Sequence, residues 1–145
     1  MLTDRPVIAV TGGAQGIGKG ILMYFAQRGY DCALLDVDLP MAVKTAEELR
    51  KIGAHVLNLE CDVADANAVN AAYQLLCGEF GRLDVQVNNA GILLRERIMD
   101  AADEISDKMI DVNLRGVLHT SRAAIKIMKR QQNGVIINAH SILGT

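Results

Sequence analysis

Residues 7–18 have the sequence VIAVTGGAQGIG, in which a short apolar run leads through a glycine-rich turn into a helical pattern. The apolar run predicts a buried strand. Gly12 allows a tight turn, Gly16 allows the backbone to approach a ligand closely, and Gly18 allows the new helix to pack on the strand. The first amides of that helix would face an anion. The stretch therefore predicts a phosphate-binding turn, although the same glycine spacing also occurs in plain strand-to-helix turns.

The rest of the chain repeats the alternation of strand and helix patterns. Helical patterns cover residues 17–28, 40–52 and 103–132, and a further helix is capped by Asp65 and ends at Gly81. Strand patterns cover residues 32–35, 55–60, 83–87 and 135–139, and the run at 32–35 is apolar without alternation. The order βαβαβαβαβ predicts an α/β fold, a doubly wound parallel sheet of the Rossmann type with strand order 3-2-1-4-5 and three layers αβα.

Composition limits the classes of partner. The chain has 145 residues, half of them hydrophobic, which suits one dinucleotide-binding domain over residues 1–145. Its 15 basic and 17 acidic residues form no basic run, so we expect a small-molecule partner and neither nucleic acid nor a membrane. Three cysteines without CxxC spacing predict buried, reduced thiols and a cytoplasmic location. No His, Cys, Asp or Glu cluster has metal-ligand spacing, so we expect no metal site.

The choice of cofactor depends on Asp36, which lies 18 residues after Gly18 at the end of the second strand. A carboxylate there can accept hydrogen bonds from an adenosine ribose and would repel a 2′-phosphate. The alternative is a strand-end or helix-capping acid, a role that Asp38 could also fill. Because neither Gln15 nor Val37 is a cation, the sequence favours NAD over NADP.

Five motifs, in order along the chain, carry a family resemblance. They are Thr11-Gly12 with Gly16 and Gly18, Asp62-Val63, Asn88-Asn89-Ala90-Gly91, the Asn113 of Asp111-Val112-Asn113, and the run 135–144 with Ser141. Together they resemble the short-chain dehydrogenase/reductase family over nearly the whole chain.

The resemblance implies a role for each matching position. The cofactor-binding set would be Gly12, Gln15, Gly16, Ile17 and Gly18 at the pyrophosphate and ribose, Asp36 and Val37 at the adenosine ribose, Asp62 and Val63 at the adenine, and Asn89, Ala90 and Gly91 by backbone. Asn113 would interrupt the long helix and hold a water for proton relay, and Ser141 would hydrogen-bond the substrate oxygen. From the residues alone, these two would be a tolerated helix polar group and a strand-end hydroxyl.

One departure from the family pattern concerns catalysis. The resemblance implies a general acid/base Tyr followed four residues later by Lys, after the Ser, and the sequence reaches Thr145 without it. The tyrosines present are followed at that spacing by Arg28, Leu34 and Cys77. His140 is the nearest stand-in, but strand alternation predicts that it faces away from the side of Ser141.

This departure leaves two interpretations. The first is the N-terminal portion of an NAD-dependent oxidoreductase that transfers hydride between the nicotinamide and a secondary alcohol or ketone, with C-terminal strands missing and these 145 residues inactive alone. Polyols, sugars, acyl thioesters, diketones and steroids all carry a suitable group. The second is a non-catalytic dinucleotide-binding or interaction module that ends at Thr145. The resemblance further implies a homodimer or homotetramer formed through the helix at 103–132.

Overall fold

A computed structural model describes residues 3–93 and 95–141 of the chain. Its sheet has five parallel strands in the order β3-β2-β1-β4-β5. The strands are β1 (Val7–Thr11), β2 (Asp31–Asp36), β3 (Val56–Glu60), β4 (Val85–Asn88) and β5 (Val135–Asn138). The predicted α/β fold and strand order are confirmed. Every residue of the central strand β1 is buried, which explains why its sequence is apolar without alternation.

Helices cover both faces of the sheet and complete the three layers. They are α1 (Gly16–Ala26), α2 (Leu39–Lys51), α3 (Ala66–Phe80), α4 (Asp103–Ile110) and α5 (Gly116–Gln131). On one face, Ile8 and Val10 of β1 share a core with Leu22 of α1 and Leu49 of α2. On the other face, Val7 and Ala9 share a core with residues of α3 and α5 such as Leu76 and Ile127. Successive residues of β1 therefore serve opposite cores.

Two aspartates begin helices as the sequence predicts. The Asp38 carboxylate accepts a hydrogen bond from Met41 N at 3.0 Å at the start of α2. The Asp65 carboxylate accepts from the backbone amides of residues 67 and 68 at the start of α3. Gly81 ends α3 in a left-handed conformation with φ 73°. Since Asp38 caps α2, Asp36 has no capping duty there.

The predicted helix at 103–132 is interrupted by one wide turn. Residues Asp111–Arg115 form a π-helix, in which the Gly116 amide donates to the Asp111 carbonyl five residues earlier. The extra residue rotates α5 relative to α4. Within α5, Leu118 lies on the side opposite Ile127, nine residues later, so Leu118 is 52% exposed while Ala124 and Ile127 pack into the core. The interruption includes Asn113, the position at which the resemblance implied it.

Polar contacts tie the amino ends of the strands together. The Arg5 side chain donates to the Gly29 and Gly53 carbonyls, both at 2.8 Å, and forms an ion pair with Asp31 at 3.2 Å. The Asp84 carboxylate accepts from Val7 N at 2.7 Å and pairs with Arg82. The amino edge of the sheet is thus occupied by hydrogen bonds and ion pairs within the chain.

The cysteines differ in burial. Cys32 and Cys61 are buried as predicted, whereas Cys77 on α3 is only half-buried, so the prediction was wrong for that thiol. Cys77 lies on the helix side that meets α5, where Arg130 Nη2 approaches its Sγ at 3.4 Å. Within the described residues all three thiols are free.

Candidate functional site

The glycine-rich turn has the geometry that a phosphate-binding turn requires. Gly12 has φ 63° and Gly16 has φ 56°, a conformation that other residues rarely adopt. A Cβ on Gly18 would lie 2.1 Å from the Gly12 carbonyl oxygen, so only glycine lets α1 pack this closely on the turn. A Cβ on Gly16 would have no heavy atom of the described chain within 4 Å, which leaves its surroundings open to a ligand.

The first turn of α1 keeps its backbone amides available. Gln15 precedes the helix and, among the described residues, makes no side-chain capping bond, unlike the aspartates that begin α2 and α3. Uncapped amides and the positive end of the helix dipole favour an anion. Ile17, which the helical pattern assigned to the apolar face, is 75% exposed. That assignment was wrong because the first turn lies beyond the core.

Hydrogen bonds join this turn to the turn after β4. The Thr11 hydroxyl accepts from the backbone amides of Asn89 and Ala90, both at 3.0 Å. The Asn89 side chain donates to the carbonyls of Thr11 at 3.2 Å and Gly12 at 3.1 Å. The backbone of Asn89-Ala90-Gly91 is thereby held beside the glycine-rich turn.

Asp36 and Thr45 hold the turn from the β2 side. One Asp36 carboxylate oxygen accepts from Ala14 N at 2.9 Å, and the other accepts from Asp38 N at 3.0 Å. The buried Thr45 hydroxyl donates to the Ala14 carbonyl at 2.6 Å. Each carboxylate oxygen can accept a second hydrogen bond, so Asp36 is oriented by the backbone while retaining capacity for ribose hydroxyls.

These turns surround a cavity of about 480 Å³ at the carboxyl edge of the sheet. It is lined by Gly12, Gln15, Asp36, Val37, Cys61, Asp62, Val63, Asn89, Ala90, Gly91, Ile92, Lys108 and Val112. Of the predicted cofactor residues, those outside this lining are Gly16, Ile17 and Gly18, which follow Gln15 into α1. A cavity of this size and position is typical of ligand sites in parallel α/β sheets.

Sequence reasoning missed four lining residues, Cys61, Ile92, Lys108 and Val112. Cys61 and Ile92 directly follow or precede predicted site residues, and this adjacency could have identified them. Burial, with the neighbouring Asp62 charge, raises the pKa of the Cys61 thiol to about 11, so Cys61 contributes a neutral wall. Lys108 lies one helical turn before Val112 and adds a cation to a lining that also contains Asp36 and Asp62.

Asn113 is bound to the loop that follows β4. Its Oδ1 accepts from Ile92 N and its Nδ2 donates to the Ile92 carbonyl, both at 2.8 Å. A Cβ on Gly91 would lie 3.4 Å from the same Oδ1. The amide is thus engaged with backbone on both sides, and its water-holding role stays a prediction.

Ser141 lies three residues beyond β5 and is exposed. Like Asn113, it is not among the described residues that line the cavity. Strand alternation does not decide between Ser141 and His140, because β5 ends at Asn138; His140 Nδ1 lies 3.2 Å from the Ser141 carbonyl. Residues 142–144 of the predicted motif fall outside the described part of the chain.

A buried chain of polar side chains leads from α3 to the end of β5. Tyr73 donates from its hydroxyl to Gln86 at 2.5 Å, and Gln86 donates to Asn88 at 3.0 Å. Asn88 also accepts from Thr120 at 2.7 Å and donates to Asn138 at 2.8 Å. Burial raises the pKa of the Tyr73 hydroxyl, which therefore stays protonated as a donor. The chain of bonds reaches Asn138, the last residue of β5, three residues before Ser141.

Residues 3–93 and 95–141 offer neither a metal-binding cluster nor a membrane-spanning helix. They contain no group of three or more His, Cys, Asp or Glu that could hold a metal ion. The helices of this part of the chain are also too short or too polar to cross a bilayer.

Comparison with known proteins identifies the family. The model of the short chain dehydrogenase family matches residues 6–145. The chain belongs to this family, whose members bind NAD or NADP.

Three relatives illustrate its range. Carbonyl reductase family member 4 of Xenopus tropicalis is 37% identical over 138 residues, covering 95% of this chain and 57% of that protein. The 3-oxoacyl-[acyl-carrier-protein] reductase FabG of Staphylococcus aureus (strain Mu50) is 37% identical over 136 residues, covering 93% and 55%. The structure of NAD+-bound xylitol dehydrogenase has a TM-score of 0.93 at 28% identity, covering 96% and 54%. The chain spans just over half the length of these relatives.

Proposed function

We propose that this chain is the NAD-binding part of an oxidoreductase that transfers hydride between the nicotinamide and a secondary alcohol or ketone. The observation that carries the proposal is the cavity of about 480 Å³, whose wall contains the predicted cofactor residues at the ends of β1, β2, β3 and β4. The uncapped first turn of α1 would hold the diphosphate, and the Asp62–Val63 turn would flank the adenine. The reductases and dehydrogenases among the relatives support the reaction class.

NAD is the favoured dinucleotide because of the charges on the β2 side of the cavity. Asp36 presents a carboxylate oriented by Ala14 N and Asp38 N, and its neighbour Val37 is exposed and uncharged. A 2′-phosphate would meet the carboxylate without a cation at either Gln15 or Val37. Lys108, which also lines the cavity, belongs to α4 and not to the end of β2. The NAD+-bound state of the xylitol dehydrogenase relative is consistent with this preference.

The chemistry requires proton transfer as well as hydride transfer, because reduction of a ketone leaves an alkoxide. Bound NADH would supply the hydride. We assign to Ser141 a hydrogen bond with the substrate oxygen and to Asn113 the ordering of a proton-relay water. The sequence contains no Tyr followed four residues later by Lys, and a serine hydroxyl is a poor acid near neutral pH. We therefore expect these 145 residues to bind the cofactor without turning over substrate.

The same observation favours a second candidate, a non-catalytic dinucleotide-binding or interaction module. The two candidates differ in whether a Tyr-x-x-x-Lys element operates together with this chain. The decisive experiment compares turnover by the protein in its cellular form with turnover by residues 1–145 alone. Turnover of a secondary alcohol with NAD by the protein in its cellular form, and not by residues 1–145 alone, would exclude the module.

Binding of the dinucleotide is tested first, by the fluorescence of NADH titrated with the purified chain. Gln15→Glu adds a negative charge where the diphosphate is proposed to bind, and acidic residues stabilise a helix N-terminus. We expect this variant to bind NADH about tenfold more weakly while unfolding at the same or a higher temperature. Gln27→Glu, at the other end of α1, is the matched control. Equal NADH affinity of the Gln15→Glu variant and the unsubstituted chain would contradict the proposed site.

We also propose assembly into a homodimer or homotetramer through the outer side of α4 and α5. This side carries Ile110, Leu114, Leu118 and Ile125, each between 47% and 57% exposed, at helical spacing. Leu118→Arg should lower the mass measured by light scattering. Leu75→Arg, at a similarly exposed position on α3, should leave the mass unchanged.

Two further proposals concern the chain as a whole. Residues 1–145 form one domain, which the single sheet and its two shared cores support. The location is cytoplasmic, which the free thiols of the described residues support.

A further inference from the structure

The Asp62–Val63 turn after β3 is seated on α5. The Val63 carbonyl lies 2.9 Å from His119 Nδ1, and a carbonyl only accepts, so His119 Nδ1 carries the hydrogen. A Cβ on Gly116 would lie 2.6 Å from Val63 Cγ2 and 3.1 Å from Val63 Cβ. Gly116 and His119 are three residues apart and share one side of the helix. Together they form a seat into which Val63 fits.

This seat has particular weight because β3 is the edge strand of the sheet. β3 pairs with β2 alone within the described sheet, so one side of its end lacks a strand neighbour. The bonds that the Asp62 side chain and carbonyl accept, from Ala64 N and Asp65 N, are local to the turn. Contact with α5 therefore links the turn to the helix that directly follows the π-helical turn, and Val112 of that π-helical turn also lines the cavity.

We propose that His119 is a positioning residue for the adenosine half of the dinucleotide. It does not line the cavity. Through the Val63 carbonyl, and with Gly116 setting the approach, it fixes the separation between the Asp62–Val63 turn and Val112. The inference rests on the proposed function, because it assumes that the cavity receives a dinucleotide with its adenine beside Val63.

The test compares two His119 variants by titration with NADH and with ADP-ribose, which lacks the nicotinamide. His119→Leu removes the donor, whereas His119→Asn retains an N–H near the position of Nδ1. We expect His119→Leu to weaken both ligands about fivefold to tenfold, the effect of one hydrogen bond. His119→Asn should bind within about twofold of the unsubstituted chain. Gly116→Ala should weaken ADP-ribose similarly, since its methyl group displaces Val63.

His55→Leu is the matched control. His55 is a half-exposed histidine that pairs with Glu79. It lies next to the amino end of β3, whereas the cavity lies at the carboxyl edge of the sheet. The His55→Leu substitution should lower the melting temperature about as much as His119→Leu does, without changing the affinity for ADP-ribose. Unchanged ADP-ribose affinity of His119→Leu, or equal weakening by His119→Asn and His119→Leu, would overturn the role of His119. If the unsubstituted chain binds neither ligand, the proposed function fails first and the inference with it.

Discussion

Asn113 and Ile92 are joined by two hydrogen bonds of 2.8 Å, which use both the acceptor and a donor of the Asn113 amide. Ile92 lines the cavity and Asn113 lies in the π-helical turn between α4 and α5. The pair therefore fastens the loop after β4 to the helix that crosses behind it. The side chain to which the family resemblance assigns a proton-relay role therefore has a structural role in the chain.

The first prediction concerns this pair. Asn113→Ala removes both hydrogen bonds and should destabilise the chain by about 1–3 kcal/mol, at about 0.5–1.5 kcal/mol for each bond. It should also speed cleavage by trypsin after Arg95 and Arg97, which are both exposed and close in sequence to Ile92. The rate of cleavage there is the measurement. Asn67→Ala, at an exposed position on α3, is the control, and equal cleavage rates of the two variants would count against the fastening.

The second prediction compares two glycines of α1. Gly18→Ala would bring a methyl carbon to 2.1 Å from the Gly12 carbonyl oxygen, a backbone atom that cannot move aside cheaply. It should cost about 3 kcal/mol and abolish NADH binding. Gly20→Ala meets no heavy atom of the described chain within 4 Å and should stabilise by up to about 1 kcal/mol through helix propensity. Urea unfolding and NADH titration measure both effects. Similar stabilities of the two variants would refute the close packing at Gly18.

The third prediction concerns cofactor choice. Val37 is 64% exposed and lines the cavity beside Asp36, so Val37→Arg adds a cation without disturbing the core. An arginine there can pair with a 2′-phosphate. We expect the ratio of NADPH to NADH affinity to rise about tenfold. Val43→Arg, on the exposed side of α2, adds the same charge away from the cavity. If Val43→Arg raises the ratio of NADPH to NADH affinity as much as Val37→Arg does, the cause is the added net charge and not the position of the cation at the end of β2.

The fourth prediction is a pH dependence. Burial raises the pKa of Cys32 from 9.0 to about 12 and that of Cys61 to about 11. Above pH 9 the unfolded chain loses these protons while the folded chain keeps them, so the free energy of unfolding falls as the pH rises. Ionisation of each thiol in the unfolded chain lowers the free energy of unfolding by about 1.4 kcal/mol per pH unit in this range.

Substitution of one thiol isolates this contribution. Cys32→Ala should flatten the decline measured by urea unfolding between pH 9 and about 11. Cys77→Ala removes a half-buried thiol and should leave the slope as it is. A Cys32→Ala variant with an unaltered slope would show that ionisation of Cys32 is not linked to unfolding.

Local patterns were sufficient for the fold. Uninterrupted apolar runs predict strands that are buried on both faces, and Asp38, Asp65 and Gly81 mark helix ends within a few residues of their partners. Because the strands run parallel, their carboxyl ends lie along the same edge of the sheet. Most of the cavity wall could therefore be predicted from residues next to strand ends.

The residues that sequence reasoning missed depend on contacts between distant elements. Gln86 in β4 satisfies Tyr73 from α3, and nothing near either residue in the sequence indicates the pair. Leu118 faces outward because it lies on the side of α5 opposite Ile127, nine residues later, a distinction that one long apolar pattern over 103–132 does not make. Lys108 and Val112 line the cavity because the tertiary structure places α4 and the π-helical turn beside it, which no local pattern indicates.

The contacts of Arg5 can form only after later parts of the chain have been synthesised. Its acceptors belong to residues 29, 31 and 53, so the guanidinium is made first and its last partner is added 48 residues later. On the ribosome, the amino terminus can complete these contacts only after residue 53 has emerged. From that moment the unit of β1, α1, β2 and α2 has its Arg5 contacts in place. The glycine-rich turn and Asp36 can then form together, before the residues of the later turns have emerged from the ribosome.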